Sequence, residues 1–168
     1  MKVNKGITFA LAITLQVAIV ASIIVFKLAV LARGTDVVLK IAPVDPRDWL
    51  RGDYAVFRYD ISEIPPYFLR DKDLDRGDQV FVSLAPRGKY WNVVRVQKEK
   101  PTKEGALFIK GVAKSNRNIS YGIEQFFIPE GKGKGFSFAG KESAARVSID
   151  KNGNAVLKTV YVNGEIWP

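Results

Sequence analysis

The chain has 168 residues, enough for one domain with its own core plus an appendage. It has no Cys and no His, which removes disulfides, thiol nucleophiles, Cys/His zinc sites and any mechanism that needs an imidazole base. The formal charge is +9, yet the 26 basic residues are scattered among 17 acids, with no basic arm carrying stacking aromatics, so no nucleic-acid partner is expected.

Gly6 to Phe26 carries no charge and only Gln16 and small hydroxyls as polar residues. As a helix it covers about 30 Å, the thickness of a bilayer's hydrocarbon. Lys27 can snorkel to the interface, and Leu28 to Ala32 continue the helix to Gly34 as its stop. The expectation is a transmembrane anchor over 6–32. A cleavable signal peptide ending at Val30-Leu31-Ala32 is the rival, but the apolar run exceeds the ~7–15 residues of a signal core. Lys5-Gly6-Ile7-Thr8-Phe9 also resembles a type IV pilin processing site, with Leu11 where such leaders carry Glu. The amino terminus, Lys2 and Lys5, against Lys27, Arg33 and Asp36, favour the N-terminus inside.

After Gly34 the pattern becomes that of strands. Asp36 to Ile41 is a short apolar run, and Ala42 to Trp49 is a loop with two prolines and three charges. Arg51-Gly52-Asp53-Tyr54 then turns into an extended segment. There Phe57, Tyr59 and Ile61 alternate with Arg58 and Asp60, which puts the apolar three on the buried face of a strand. Val82, Val94, Ile109 and Val147 are their expected core neighbours. Further strands are expected around Val80 to Leu84, Tyr90 to Val96 and Ala106 to Val112. Ala145, Val147 and Ile149 alternate with polar residues, and Asn152-Gly153 turns that strand back into Ala155 to Val162. Short helical turns are expected at Glu124 to Ile128 and Phe138 to Ala144.

Gly52-Asp53-Tyr54-x-x-Phe57-x-Tyr59 resembles the signature of the GDYxxLxY family of bacterial membrane-anchored proteins, with Phe57 where that family usually has Leu. Pro43 to Asp48 resembles the family's lead-in, and Tyr121 to Gly131 its second box. The resemblance implies an architecture, an anchor plus an exported domain, and a multi-pass membrane protein as partner. It implies no activity.

Several chemical motifs fall short. Gly135 to Lys141 has the spacing of a phosphate-binding loop, but Glu142 stands where Ser or Thr must reach Mg²⁺, so no nucleotide is expected. Asp71, Asp73 and Asp75 resemble a calcium loop, yet Arg76 sits at the glycine position and Val82 at the bidentate-Glu position, so no metal is assigned. Arg76-Gly77-Asp78 repeats Arg51-Gly52-Asp53 as a turn before a strand. A signal-peptidase-like hydrolase also joins an anchor to a β domain and needs a Ser and a desolvated Lys. Here no Ser lies between the anchor and Arg51, while Ser62 and Ser83 sit on or beside strands and Lys72 in an acidic loop.

The expected fold is therefore mainly β, a barrel- or sandwich-like domain over 33–168, extracytoplasmic, behind the anchor at 6–32 and a cytoplasmic segment at 1–5. The expected role is a binding or structural module partnering another envelope or membrane protein, without cofactor or catalytic residues; the hydrolase is the alternative. Ligand or partner contacts are expected at Arg51, Asp53, Tyr54, Tyr59, Tyr121 and Glu124. For Asp53 the favoured reading is a turn-fixing acceptor, against a groove shared with Tyr54 and Tyr59.

Overall fold

The structure is a computed structural model that describes residues 5–42, 54–69, 74–102, 105–127 and 140–167. Helix α1 spans Lys5–Arg33. It is long and apolar enough to cross a membrane, and its side chains are exposed up to the last turn. Strand β1, Thr35–Lys40, starts after a single intervening residue, Gly34.

Nine more strands follow among the described residues: β2 (Tyr54–Val56), β3 (Gln79–Arg87), β4 (Tyr90–Gln97), β5 (Phe108–Ala113), β6 (Ile119–Ser120), β7 (Gln125–Phe127), β8 (Ser143–Ile149), β9 (Ala155–Val162) and β10 (Glu165–Trp167). They form two four-stranded antiparallel sheets, β1-β8-β9-β10 and β4-β3-β5-β6, and a two-stranded pair, β2-β7. The first sheet joins the strand after the helix to the last three of the chain, and the second takes the middle. Alternate residues of both, such as Val37, Val147 and Val160 from one and Val80, Val82 and Ile109 from the other, enter a single core. No closed barrel forms among the described residues.

The β8–β9 hairpin follows the sequence pattern, with Ala145, Val147 and Ile149 buried. Its turn holds three residues between Asp150 and Asn154. The Asp150 N–H donates to the Asn154 carbonyl (2.9 Å) and the Gly153 N–H to the Asp150 carbonyl (2.9 Å), with Gly153 at φ 80°. That is the three-residue hairpin loop in which glycine takes the left-handed position. The Asp150 carboxylate closes it by accepting from the backbone N–H groups of Asn152 and Asn154.

Four expectations need correction. The strand through Phe57 and Tyr59 does not reach Ile61: it gives way to a 3₁₀ turn at Asp60–Ser62, although Phe57, Tyr59 and Ile61 are all buried. Gln125–Phe127 is strand rather than helical turn, because the segment pairs with β2. Ser143 and Ala144 likewise open β8, paired with Val162 and Tyr161. Val94 is 50% exposed rather than core. Leu84 pairs with Val93 and Ser83 with Arg95, so Val94 is the extra residue of a β-bulge and is turned outward.

Candidate functional site

The two sequence boxes fold against each other. Tyr54 lies opposite Phe127, Ala55 opposite Phe126 and Val56 opposite Gln125. The ladder is prolonged by the Phe57 N–H, which donates to the Glu124 carbonyl (2.7 Å). Beyond that point side chains replace backbone. The Tyr59 hydroxyl donates to the Ile123 carbonyl (2.7 Å), and the Tyr121 hydroxyl donates to the Ile61 carbonyl. Each box thus spends one tyrosine on a carbonyl of the other.

Both rings are buried, so each hydroxyl satisfies a carbonyl that water does not reach. Burial pushes both phenols well above the ordinary tyrosine range, and the nearby Glu124 carboxylate adds in the same direction. They are neutral hydrogen-bond donors at physiological pH. Tyr121 also needs Gly111 beneath it: a Cβ there would stand 2.9 Å from the Tyr121 ring and 2.4 Å from Ile119 Cγ2.

Glu124 turns back on its own box. Its two carboxylate oxygens accept from the backbone N–H groups of Tyr121 and Gly122, closing the turn that presents Ile123 to Tyr59. Tyr59, Tyr121 and Glu124 are therefore brought together, and Tyr54 joins them through its backbone pairing. Arg51 and Asp53 lie outside the described residues, as do Asp71, Lys72 and Asp73. An aromatic row backs the seam, with Phe57 and Phe126 centroids 6.2 Å apart and Phe126 and Trp167 5.9 Å apart.

A cleft of about 330 Å³ opens beside Tyr59, lined by Ala42, Arg58, Asp60, Glu63, Pro65, Pro66 and Arg117. Arg117 meets Glu63 at 3.4 Å and Lys40 meets Asp60 at 3.6 Å, whereas the Arg58 side chain has no partner among the described residues. Nothing in the spacing pointed to Arg117. It arrives because Glu63 bridges to Asn118 and the Ile64 N–H donates to the Arg117 carbonyl (2.8 Å).

A second cleft, about 210 Å³, is lined by Val38, Lys89, Tyr90, Glu142, Ala144, Arg146, Tyr161 and Gly164. The residue that spoils the phosphate-loop spacing, Glu142, is engaged here. It meets Lys89 at 2.6 Å and accepts from the Tyr90 hydroxyl (2.7 Å), and these bonds hold its carboxyl below the usual range. Ser62, weighed as a nucleophile, is buried, and its hydroxyl oxygen accepts from the Tyr59 N–H (3.3 Å). Asp75 uses its N–H on the Asp78 carboxylate (3.0 Å). No group of acidic side chains among the described residues is arranged to hold a metal ion.

A family model described as GDYXXLXY protein matches residues 16–160, a span that contains both boxes and the seam between them. No curated protein and no solved structure matches the chain.

Proposed function

The chain belongs to the GDYXXLXY family, and from that premise we propose that it is a membrane-anchored, extracytoplasmic β domain that serves as a binding or structural module. Residues 6–32 lie in the lipid bilayer of the cytoplasmic membrane with the N-terminus inside, and the sheets stand on the outer side, periplasmic or at the cell surface. Its partner is another membrane or envelope protein, of which a multi-pass protein is the first candidate.

The observation that carries the reading is the bare helix. Large apolar side chains from Ile7 to Leu28 are exposed along it, an apolar surface that water does not tolerate and that lipid covers. The seam supports a module rather than a reaction centre, since the Tyr59 and Tyr121 hydroxyls are both committed to backbone carbonyls. Recognition is assigned to the cleft beside that seam, where Arg58 offers a guanidinium to an acidic group of the partner and Pro65 and Pro66 offer a stiff apolar wall.

The test has two readouts. A reporter enzyme that works only outside the cytoplasm, fused after Pro168, is expected to be active. Copurification from detergent-solubilised membranes is expected to recover a membrane or envelope partner with the wild-type chain and to lose it with Arg58→Glu. An inactive reporter overturns the orientation, and a partner retained by Arg58→Glu overturns the assignment of the cleft.

A further inference from the structure

The polar side chains of the apolar run are treated unequally by the helix. Thr14 Oγ1 donates to the Ala10 carbonyl (2.9 Å), and Ser22 Oγ donates to the Ile19 carbonyl (2.7 Å), so both hydroxyls are satisfied within α1. Thr8 is engaged as well. The Gln16 side chain is exposed, and its carboxamide has no hydrogen-bond partner among the described residues. It also stands at the centre of the run from Gly6 to Phe26. With the run spanning the hydrocarbon, its carboxamide sits at the bilayer midplane, where neither water nor headgroups can serve it.

An unpaired amide at that depth is costly, and membrane helices meet the cost by pairing such a side chain with another helix. A primary carboxamide is self-complementary, since it carries both N–H donors and a carbonyl acceptor. Copies that insert in the same direction bring Gln16 to the same depth, so a second copy supplies the matching group without further adjustment. At about 100° per residue, Phe9, Ala12 and Ile23 share the Gln16 face, and small Ala12 lets two backbones approach one turn away. Towards the C-terminus the stripe ends at Val30, whose side chain is covered by the protein's own β domain.

Resting on the anchor reading above, we propose that α1 pairs in the membrane with a second copy of itself, parallel, through reciprocal hydrogen bonds between the two Gln16 carboxamides. The pairing face runs through Phe9, Ala12, Gln16 and Ile23, and the helices part before Val30.

The chain has no Cys, so single-cysteine variants of the full-length protein report proximity cleanly. Oxidative cross-linking in native membranes is expected to yield a dimer with Phe9→Cys and little with Leu11→Cys, which points to the opposite side. Adding Gln16→Leu to Phe9→Cys is expected to lower the dimer by roughly fivefold or more, and Gln16→Asn to retain part of it. Equal cross-linking at positions 9 and 11, a dimer insensitive to Gln16→Leu, or an adduct with a different protein in place of the dimer overturns the proposal. Alkaline carbonate extraction of the same membranes separates the two failures. A chain released into the soluble fraction defeats the anchor reading and the pair with it, whereas a retained chain without dimer defeats the pair alone.

Discussion

The Ser148 hydroxyl donates to the Val30 carbonyl over 2.7 Å, tying β8 to the last turns of α1 across 118 positions of sequence. The same carbonyl accepts from the Gly34 N–H (2.9 Å), so both of its lone pairs are used at the joint. A Cβ on Gly34 would lie 2.3 Å from Ser148 Oγ and 2.6 Å from the Val30 carbonyl oxygen. Ser148→Ala is expected to cost about 1 kcal/mol, and Gly34→Ala about 1–3 kcal/mol through overpacking. Because removing the Ser148 hydroxyl clears one of the two clashes, the double variant costs less than the sum. Urea unfolding of the four proteins in detergent checks this, and strict additivity would refute the shared joint.

The exchange between Tyr59 and Tyr121 predicts a coupled pair. Tyr59→Phe leaves the Ile123 carbonyl without that donor, and Tyr121→Phe leaves the Ile61 carbonyl so. Each is expected to cost about 1–3 kcal/mol. Since both bonds close one seam, a double-mutant cycle should give a coupling energy of at least about 0.5 kcal/mol. Zero coupling in denaturant titrations with unchanged slope would show that the bonds act independently.

Phe57 is a packing residue first. It is buried and backed by Phe126. Phe57→Ala should cost about 3–5 kcal/mol through lost transfer energy and the cavity left behind. Phe57→Leu, which keeps most of the apolar volume, should cost clearly less. Equal losses in the two variants would point away from packing.

Alkali should unfold the protein through its tyrosines. The folded state raises the pKa of both Tyr59 and Tyr121, by burial first and by Glu124 second. Their contribution to stability is therefore complete below the unfolded value of about 10 and is lost as pH rises above it, because only the unfolded chain ionises them readily. Phenolate absorbance of the wild type should show a late step coincident with loss of circular dichroism. In Tyr59→Phe/Tyr121→Phe that step should shrink.

Acid acts on different groups. Bonding to Lys98 and to the Asp75 N–H lowers the Asp78 pKa, and bonding to Lys89 and Tyr90 lowers that of Glu142. Groups depressed in the folded state stabilise above the ordinary carboxylate range, and that contribution fades as pH falls through the lowered values. Glu142→Gln should therefore flatten the fall in melting temperature between pH 6 and pH 3. High salt should shrink the difference between the two proteins, since the pairs stand in solvent. An acid limb identical in Glu142→Gln and wild type would remove Glu142 from the account.

What the sequence could express was local periodicity. Ala145, Val147 and Ile149, then Asn152-Gly153, are legible because strand alternation and turn chemistry are set by neighbours in the chain. The inward set Phe57, Tyr59 and Ile61 is legible too, even though the strand ends early, because burial follows alternation into the 3₁₀ turn. Val94 could not be placed, since a bulge depends on how two strands slip against each other. Ser148 sits on the face that alternation assigns to solvent, and only the arrival of the helix end buries it. At the seam the sequence named Tyr59, Tyr121 and Glu124 but not what they bond. Those partners are backbone carbonyls and N–H groups, which carry no side-chain signature. Arg117 was missed for the same reason, being delivered to its cleft by backbone pairing.

With Gly34 alone between α1 and β1, the sheets have no tether and inherit the azimuth of the helix. A rotation of α1 about its axis is delivered to β1 and, through Ser148, to β8, as torque rather than as slack. The domain therefore has less freedom to swing about the helix than a module on a flexible leash. It holds one bearing relative to the helix, and reorienting it means turning the helix with it.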